Sequence, residues 1–350
     1  MKDLTIENRV KVSVIIPNYN HGKYLKERIE SIVNQSYQNF ELIILDDCST
    51  DNSIEIISAY ENHPKVSLLL VNNENSGSPF KQWVKGIELA KGEFIWFAES
   101  DDLAAPEFLS KSIEIMDSDE LIAFAYCDSY LIDENGTIIG KSSTHKNEFF
   151  KTSHWSENHI VENEEEVLKY MFFKTTINNA SAVLFKKSFM NKDAFLNRLA
   201  LFKNAGDIFT FMVLSVNSKI AYLKEPLNYY RQHEQNITKI NQKKGILFEE
   251  RFKCYTYVIS ILNKNTFNEI KLNMLRKSCN YVLLKNGFGV MEFGNLVELK
   301  RFLKQVYVSG IFSQFKTRLL IFLFTFYRFN FFKFKEFSKM RIKRICSDWQ

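Results

Sequence analysis

The side chains in this sequence that are best suited to chemistry are carboxylates that directly follow two apolar runs. Residues 94–98 (FIWFA) lead into residues 99–102 (ESDD), and residues 41–45 (ELIIL) lead into Asp46 and Asp47. Carboxylates gathered in one place repel one another unless a cation lies between them. Mg²⁺ takes oxygen ligands, commonly one or two carboxylates together with substrate phosphates. The pattern therefore indicates a site for a divalent cation and a diphosphate.

A purely structural role for these carboxylates is the alternative. Aspartate commonly caps the N-terminus of a helix, and Pro106 is placed to begin a helix shortly after residues 99–102. We interpret Asp51 as such a cap, for the helix that begins just beyond it. The functional interpretation is favoured for Asp46, Asp47 and residues 99–102, because both clusters should open onto the same edge of a sheet.

The elements that must position these carboxylates alternate between strands and helices. Continuous apolar runs predict buried strands at 12–16, 41–45, 67–71 and 94–98, and apolar residues at helical spacing predict helices at 23–35, 54–60 and 80–87. This alternation, with short polar links, predicts an α/β fold with a doubly wound, mostly parallel, Rossmann-like sheet. Such sheets bind ligands beyond the carboxyl ends of their strands, which is where the carboxylates fall.

The second half of the chain alternates less regularly. We predict a helix at 106–116, a strand at 123–126, a hairpin at 130–139 that turns at Asn135-Gly136, a surface loop at 141–162, a helix at 164–173, and strands at 182–185 and 220–223. Asp207 opens an apolar helix at 208–216, where a helix cap is its ordinary structural interpretation. Three or four further helices are predicted after residue 241.

Composition limits the class of protein. The 350 residues are 45% hydrophobic and 25% charged, which is typical of a globular protein with a substantial core. No apolar segment reaches the roughly 20 residues that span a bilayer, and the first apolar run is too short for a signal peptide. The five cysteines are scattered without a CxxC spacing. They indicate a reducing, cytoplasmic compartment and no structural zinc.

Basic charge is concentrated at the C-terminal end. Residues 301–350 contain eleven Lys and Arg against Glu336 and Asp348, so the body of the chain is slightly acidic although the whole carries +5. A general affinity of the body for nucleic acid is therefore not expected. Within residues 311–350, a Phe-rich apolar run with basic flanks suits the interface of an anionic membrane. Packing on the body of the protein, or contact with another subunit, is the alternative.

Several segments, in this order, resemble the family 2 glycosyltransferases of the GT-A fold, of the type that makes bacterial surface polysaccharides. They are residues 13–20 (SVIIPNYN), 31–35 (SIVNQ), 41–53 (ELIILDDCSTDNS), 92–102 (GEFIWFAESDD), 206–207 (GD) and 230–233 (YRQH). The likeness covers about residues 10–238. We accordingly predict a GT-A catalytic domain at 1–238 and a helical C-terminal region, with its basic, Phe-rich tail, at 239–350.

The resemblance implies a nucleotide-binding role for residues after the first two strands. Pro17 and Tyr19 match the loop that lines the nucleoside pocket. Asp47 matches the carboxylate that hydrogen-bonds the base, and Asp46 lies beside it.

The resemblance also implies the residues that meet the ribose, the metal and the acceptor. Glu99 and Asp101, with Ser100 between them, match the acidic motif that contacts the ribose and the metal. His233 matches a histidine near the metal and the diphosphate, and Asp207 matches the catalytic base.

The chemistry that such residues perform is an inverting sugar transfer. One carboxylate takes the proton of the acceptor hydroxyl while the hydroxyl attacks the anomeric carbon. A divalent cation stabilises the charge that develops on the departing nucleoside diphosphate. The resemblance therefore implies an Mn²⁺- or Mg²⁺-dependent enzyme that uses a nucleotide-diphosphate sugar, with UDP expected, and a polysaccharide or glycolipid acceptor.

Two positions depart from the family pattern. Relatives commonly have Asp where this chain has Glu99, whose longer side chain still supplies an oxygen. Many relatives have an Arg-Asn pair where this chain has Trp83 and Val84. Lys81 or Lys85 could supply a cation there, although Lys lacks the guanidinium fork of Arg.

Two other functions are weighed against an active transferase. A nucleotide-sugar-binding or scaffolding relative that has lost catalysis is the main alternative, but retention of Asp101, Asp207 and His233 favours an enzyme. A nucleotide-dependent oxidoreductase has less support. Residues 17–20 (PNYN), the turn after the first strand, lack the Gly-rich sequence that lets backbone approach a pyrophosphate.

Overall fold

The computed structural model describes residues 10–162, 164–216, 218–233, 246–262, 267–293, 296–313, 316–317 and 320. These residues form two compact units. The first consists of the described residues in 10–161, 177–203 and 218–233, and the second of those in 162–176, 204–216 and 246–320. The domain boundary predicted between 238 and 239 lies outside the described residues and stays a prediction.

A mixed, mostly parallel sheet forms the first unit. Its described strands are β1 (Val12–Asn18), β2 (Phe40–Asp46), β3 (Val66–Val71), β4 (Phe94–Phe97), β5 (Leu103–Ala104), β6 (Ile122–Ile132), β7 (Ile138–Lys141), β8 (His159–Glu162), β9 (Val183–Lys186) and β10 (Lys219–Arg231). They lie in the order β3-β2-β1-β4-β9-β6-β10-β5, with β7 paired to β6 and β8 to β10. The run β3-β2-β1-β4 is parallel, and β9 is antiparallel to both of its neighbours. The predicted α/β fold is confirmed.

The central strands are apolar on both faces, as in parallel sheets that helices cover on each side. Every residue of β2 and β4 is buried. The register pairs Ile15 of β1 with Ile43 of β2 and with Phe97 of β4, so the three strands end close to one another. The carboxylates that follow β2 and β4 therefore reach the same edge of the sheet, as the sequence predicts.

The first four helices of this unit lie where the apolar spacing predicts them. The helices are α1 (Gly22–Val33), α2 (Ser53–Ser58), α3 (Pro79–Leu89), α4 (Phe108–Asp117), α5 (Ser142–Phe150), α6 (Lys187–Met190) and α7 (Asp193–Leu199). Helix α3 packs very closely on β1, because a Cβ added at Gly86 would lie 2.7 Å from Cγ2 of Ile15.

The segment from 141 to 162 is not the surface loop that the sequence predicts. It contains α5 and β8, and Trp155 is buried with its Nε1 donating a 3.0 Å hydrogen bond to Oη of Tyr126. The residues that α5 buries are mostly polar, Ser142 and Lys146 among them. Helix α5 therefore lacks the apolar periodicity by which a helix is recognised in sequence.

The β6–β7 hairpin is as predicted, and β10 is longer than predicted. β6 and β7 are antiparallel, and Gly136 in their turn has a φ of 88°. β10 does not end at Leu223 but continues along β6 through Pro226 to Arg231, with register shifts on both sides of the proline. Such an irregularity accommodates proline, which cannot donate to the ladder. The extended strand carries Arg231 and then His233 towards the acidic clusters.

The second unit is helical. Its described elements are a π-helical turn (Val167–Met171), α8 (Gly206–Ser215), α9 (Ile246–Ile261), α10 (Glu269–Phe293) and α11 (Val297–Val308). The rings of Phe209 in α8 and Tyr257 in α9 are 5.5 Å apart, and those of Phe252 in α9 and Phe302 in α11 are 5.3 Å apart. The helices predicted after residue 241 are confirmed. None of the described helices is long and apolar enough to cross a membrane.

Replacing Gly92 with alanine is expected to lower the free energy of unfolding by about 1–3 kcal/mol, the range for overpacking. A Cβ at this position would lie 2.5 Å from the backbone N of Ser13 and 2.7 Å from the carbonyl C of Val12, so backbone would have to shift. Urea denaturation measures the change. Gly77→Ala is the matched control, because its Cβ would meet nothing within 4 Å and only its φ of 74° is strained. Equal losses in the two variants would contradict this packing.

Candidate active site

Residues 99–102, here called the acidic loop, are tied to the end of β1 and to a neighbouring turn. Oγ of Ser100, a buried side chain, donates a 2.7 Å hydrogen bond to the carbonyl of Pro17. The backbone N of Glu99 donates a 3.0 Å bond to Oγ of Ser181. Two residues predicted to bind the donor, Pro17 and Ser100, thus hold each other in place.

Side chains that can ligate a metal converge at this loop. Oδ2 of Asp101 lies 2.9 Å from Nε2 of His233. His21 brings a third ligand atom, and the three atoms all lie within 4.8 Å of one another. The structure therefore brings together both predicted metal residues. Sequence reasoning missed His21, although its position just after residues 17–20 places it at the carboxyl end of β1.

The pKa of Asp101 lies below its ordinary value. Burial raises this pKa, but the hydrogen bond with His233 and the charge of His21 lower it by more. The Asp101 side chain is still 19% exposed, so a ligand can reach it. Asp101 is therefore ionised at neutral pH, with an oxygen that a cation could reach.

Arg231 fixes the acidic loop from the protein interior. Its buried side chain donates from Nε to the carbonyl of Asp101 at 2.8 Å and from Nη2 to Glu27 at 2.9 Å. Its backbone N donates to Oδ1 of Asp102 at 3.0 Å. Because His233 follows two residues later, the same anchor sets the positions of both Asp101 and His233.

Asp102 is a buried part of this anchor. Its carboxylate accepts hydrogen bonds from the backbone N of Arg231 and from Nδ2 of Asn179. Oδ1 of Asn179 accepts in turn from Nδ2 of Asn228 at 3.2 Å. Burial, together with the charge of Asp101, raises the pKa of Asp102 to about 7.

The acidic loop does not cap the helix that follows it. Helix α4 begins at Phe108, later than Pro106, and Oε1 of Gln35 accepts a 3.0 Å hydrogen bond from the backbone N of Leu109 in its first turn. The side-chain amide of Gln35, which lies just after α1, therefore accepts a bond at the start of α4. The capping interpretation of the acidic loop is wrong.

Asp46 joins the ends of β1 and β2. It is fully buried, and its carboxylate accepts hydrogen bonds from Nδ2 of Asn18 at 2.7 Å and from the backbone N and Oγ of Ser49 at 2.8 and 2.7 Å. The contacts seen for Asp46 are structural, and its predicted contact with the donor stays a prediction.

Asp47 lies at the centre of a set of hydrogen-bond donors. Its Oδ1 accepts from Nδ2 of Asn72 at 2.7 Å, the backbone N of Ser76 at 3.0 Å and Nε2 of Gln82 at 2.7 Å. Its Oδ2 accepts from Oγ of Ser76 at 2.8 Å. The carboxylate thus accepts four hydrogen bonds within the protein, three on Oδ1 and one on Oδ2, and its predicted contact with the base stays a prediction. Sequence reasoning missed Gln82, which no motif marks.

The residues at and near the position of the family's Arg-Asn pair all have defined contacts in the structure. Trp83 is buried, and its ring stacks on a phenylalanine of β4 with the centroids 4.0 Å apart. Nζ of Lys85 donates to Oδ1 of Asn72 at 2.8 Å, and Nζ of Lys81 donates to the carbonyl of Ser76 at 2.9 Å. The two lysines thus support the residues that hold Asp47.

The turns after β1 and β2 are locked together beside Tyr19, which is 42% exposed. Asn20 has a φ of 56°, and its Oδ1 accepts a 2.7 Å hydrogen bond from the backbone N of Thr50. Asp51 accepts a 3.0 Å bond from the backbone N of Ser53, the first residue of α2, and a 2.8 Å bond from the backbone N of Gly22, the first residue of α1. The N-cap position of α2 is Asn52, without a side-chain capping bond, so the interpretation of Asp51 as the N-cap is wrong.

Asp207 belongs to the second unit, where it lies in the first turn of α8. Its Oδ1 accepts a 2.7 Å hydrogen bond from the backbone N of Ile208. Burial raises the pKa of Asp207 to about 6; the charge of Glu250 also raises it, while the bond from Ile208 and the charge of Arg251 lower it. A carboxyl group with this pKa is ionised at neutral pH and basic enough to accept a proton in a reaction.

Comparison with protein families gives the class of the chain. The model of glycosyl transferase family 2 matches residues 13–190, more than half of the 350 residues. The chain belongs to glycosyl transferase family 2. It is similar to TuaG, a Bacillus subtilis glycosyltransferase named for teichuronic acid biosynthesis, at 35% identity over 130 residues, or 37% of this chain and 51% of TuaG. Four of the curated relatives are matched over 39% to 57% of their own length, so the chain spans about half of them.

Solved structures share the fold. Residues 1–349 of TarS from Staphylococcus aureus, in complex with UDP, superpose with a TM-score of 0.67 at 20% identity, over 94% of this chain and 91% of that one. A further TarS structure holds UDP-GlcNAc. In sequence, TarS, a poly(ribitol-phosphate) β-N-acetylglucosaminyltransferase, is 38% identical over 111 residues, or 31% of this chain and 19% of TarS.

A more distant structure is that of PcManGT, a mannosyltransferase from Pyrobaculum calidifontis in complex with GDP-Man and Mn²⁺. It superposes with a TM-score of 0.52 at 14% identity, over 97% of this chain and 86% of that one. Together with TarS it confirms that the chain has the GT-A fold.

Asn20→Ala is expected to lower the free energy of unfolding by about 1–2 kcal/mol, because alanine is strained at positive φ and the bond to Thr50 is lost. Asn20→Gly is the matched control. Glycine accepts the φ of 56° but also lacks the side-chain acceptor, so we expect a smaller loss. Urea denaturation of both variants measures the difference. An alanine variant as stable as the wild type would show that this residue does not lock the two turns.

Proposed function

We propose that the protein is a glycosyltransferase that moves a sugar from a nucleotide-diphosphate donor, a UDP-sugar, to a hydroxyl of a polysaccharide or glycolipid. The observation that carries this proposal is the convergence of His21, Asp101 and His233 at the sheet edge where β1 and β4 end. Membership of glycosyl transferase family 2 supports it. The TarS complexes with UDP and UDP-GlcNAc support a uridine donor.

His21, Asp101 and His233 would hold a divalent cation. Two imidazole nitrogens with one carboxylate oxygen suit Mn²⁺ better than Mg²⁺, which prefers oxygen ligands. When bound, the cation supplies charge stabilisation to the departing nucleoside diphosphate. The Mn²⁺ complex of PcManGT supports this choice of metal.

The nucleotide would be recognised on the β1–β2 side of the acidic loop. Oδ2 of Asp47, which accepts one bond where Oδ1 accepts three, would share its lone pairs with an N–H of the base, while the hydrogen bonds to Oδ1 fix the orientation of the carboxylate. Pro17 and the exposed ring of Tyr19 would line the nucleoside, and Glu99 would meet the ribose.

Asp207 would act as the catalytic base. It would take the proton of the acceptor hydroxyl as that oxygen forms a bond to the anomeric carbon. The bond from that carbon to the diphosphate breaks with its electron pair leaving on the diphosphate, so the anomeric configuration inverts. The pKa of about 6 supports this role, because it lies near working pH.

The acceptor in this proposal is a glycan or lipid-linked glycan of the bacterial cell surface. TuaG is named for teichuronic acid biosynthesis, and TarS for a poly(ribitol-phosphate) acceptor, which supports this class. The chain would work in the cytoplasm or on the cytoplasmic face of the membrane. Attachment of residues 311–350 to an anionic membrane stays a prediction, and nearly all of this segment lies outside the described residues.

A panel of UDP-, GDP- and dTDP-sugars, assayed for binding and hydrolysis with Mn²⁺, Mg²⁺ or EDTA, tests the proposed function. We expect Mn²⁺-dependent hydrolysis of at least one UDP-sugar, with water in place of the acceptor. Binding without hydrolysis, and without transfer to surface glycans, would favour the non-catalytic relative. Failure to bind any member of the panel would overturn the proposal.

Asp101→Ala is expected to abolish donor hydrolysis and to weaken Mn²⁺ binding by at least about tenfold, because the cation loses its carboxylate ligand. Electron paramagnetic resonance of free Mn²⁺ measures binding independently of activity. Asp119→Asn, which removes a carboxylate paired with Lys219 at 2.9 Å, is the control and should bind Mn²⁺ normally. Full activity of the wild type in EDTA would contradict the metal assignment.

Asp207→Asn is expected to lower the rate of transfer or hydrolysis on the order of 10²-fold or more, because an amide does not accept a proton at working pH. The amide oxygen of asparagine can accept the same hydrogen bond from the backbone N of Ile208, so thermal stability and UDP binding should stay near the wild-type values. In the wild type, kcat should rise with pH through about 6, where Asp207 ionises. An Asn variant with wild-type turnover would show that Asp207 is not the base.

A further inference from the structure

The backbone that precedes Asp207 is held by helix α9 of the C-terminal region. Glu250, a buried residue of α9, accepts hydrogen bonds from the backbone N–H groups of Asn204 and Ala205, each at 2.8 Å and both on the same Oε2. Hydrogen bonds to an ionised carboxylate are stronger than those between neutral groups. The two bonds therefore fix the chain just before α8, in whose first turn Asp207 lies.

The same helix holds Ala205 through its carbonyl as well. Sγ of Cys254 donates a 3.5 Å hydrogen bond to the carbonyl oxygen of Ala205. Glu250 and Cys254 are four residues apart, so they lie on one face of α9. Helix α9 packs on α8 through the rings of Tyr257 and Phe209. One helix face thus holds Ala205 through both its N–H and its C=O.

Charged groups of α9 also act on Asp207, in opposite directions. Beside the main effect of burial, the charge of Glu250 raises the pKa of Asp207 and the charge of Arg251 lowers it. Burial raises the pKa of Cys254 well above its ordinary value, so this thiol is neutral.

The π-helical turn (Val167–Met171) also packs against α8 and carries a charged group of its own. This group is Lys169, which pairs with Glu165 at 3.9 Å.

We propose that Glu250 is a positioning residue for the catalytic base: it holds residues 204–206 so that the carboxylate of Asp207 keeps the orientation in which it takes the acceptor's proton. This inference rests on the proposed function, in which Asp207 is the base. Misplacement of a catalytic group by about 1 Å costs on the order of 10²-fold in rate. The helical C-terminal region is therefore part of the catalytic machinery, whereas donor binding depends on residues of the first unit.

The test compares four variants of the full chain: Glu250→Gln, Glu250→Ala, Arg251→Gln and Asp207→Asn. Each is measured for binding of UDP with Mn²⁺, for kcat and KM in hydrolysis of the sugar nucleotide that the wild type hydrolyses fastest, and for the pH dependence of kcat. Glu249→Gln is the matched control, because it removes the same charge from the adjacent position of α9.

We expect kcat to fall about tenfold in Glu250→Gln and on the order of 10²-fold in Glu250→Ala, with UDP affinity within about twofold of the wild type. Loss of the Glu250 charge should move the acid limb of the pH profile to lower pH. Loss of the Arg251 charge should move it to higher pH. A residue that only stabilises the fold would not shift this limb, and Glu249→Gln should leave kcat and the limb unchanged.

The outcomes separate this inference from the proposed function. If Asp207→Asn is inactive while both Glu250 variants match the wild type in kcat and pH profile, Glu250 has no positioning role. The proposal that Asp207 is the catalytic base is then retained. If Asp207→Asn is fully active, the base and this inference both fail. If Glu250→Ala does not fold, kcat of Glu250→Gln decides, and a kcat equal to that of the wild type overturns the inference.

Discussion

The architecture of the site depends on neutralising like charges that the sheet brings to one edge. The acidic loop is balanced by two buried arginines, Arg28 of α1 and Arg231 at the end of β10. Burial lowers the pKa of Arg28 to about 10, and the three carboxylates of the loop oppose that lowering, so the guanidinium remains charged at neutral pH. It lies 4.9 Å over the ring of Trp96. Arg231 adds directed hydrogen bonds, which is why the loop has one fixed geometry rather than a set of mutually repelling ones.

The candidate site residues are divided between the two units. The cluster of His21, Asp101 and His233, together with Asp47, belongs to the first unit, and Asp207 belongs to the second. Residues 162–176 and 204–216 lie inside the region that resembles the family in sequence, yet they fold with the C-terminal helices. The two units are therefore each built from several separate segments of the sequence. Glu250 illustrates the point, because a residue beyond the family-like region holds the backbone next to the proposed base.

Most of the first unit could be predicted from sequence because its signals are local. A buried parallel strand is a continuous apolar run, a covering helix has apolar residues at helical spacing, and a turn such as Asn135-Gly136 is determined by its own residues. Helix α5 and the second half of β10 lack such signals: the first buries polar residues, and the second continues through Pro226. In both, tertiary contacts override local propensity.

For the site, the sequence by itself determined that carboxylates follow two buried strands and that Asp101 and His233 belong to a family pattern. Strand ends and motifs are readable one segment at a time. Only the tertiary structure decided that His21 completes the cluster, that Gln82 contacts Asp47, and that helix α9 holds the chain before α8. Each of these contacts joins segments far apart in the sequence. Their hydrogen bonds depend on the distance and direction between two side chains or backbone groups, and neither quantity is encoded in the composition or spacing of one segment.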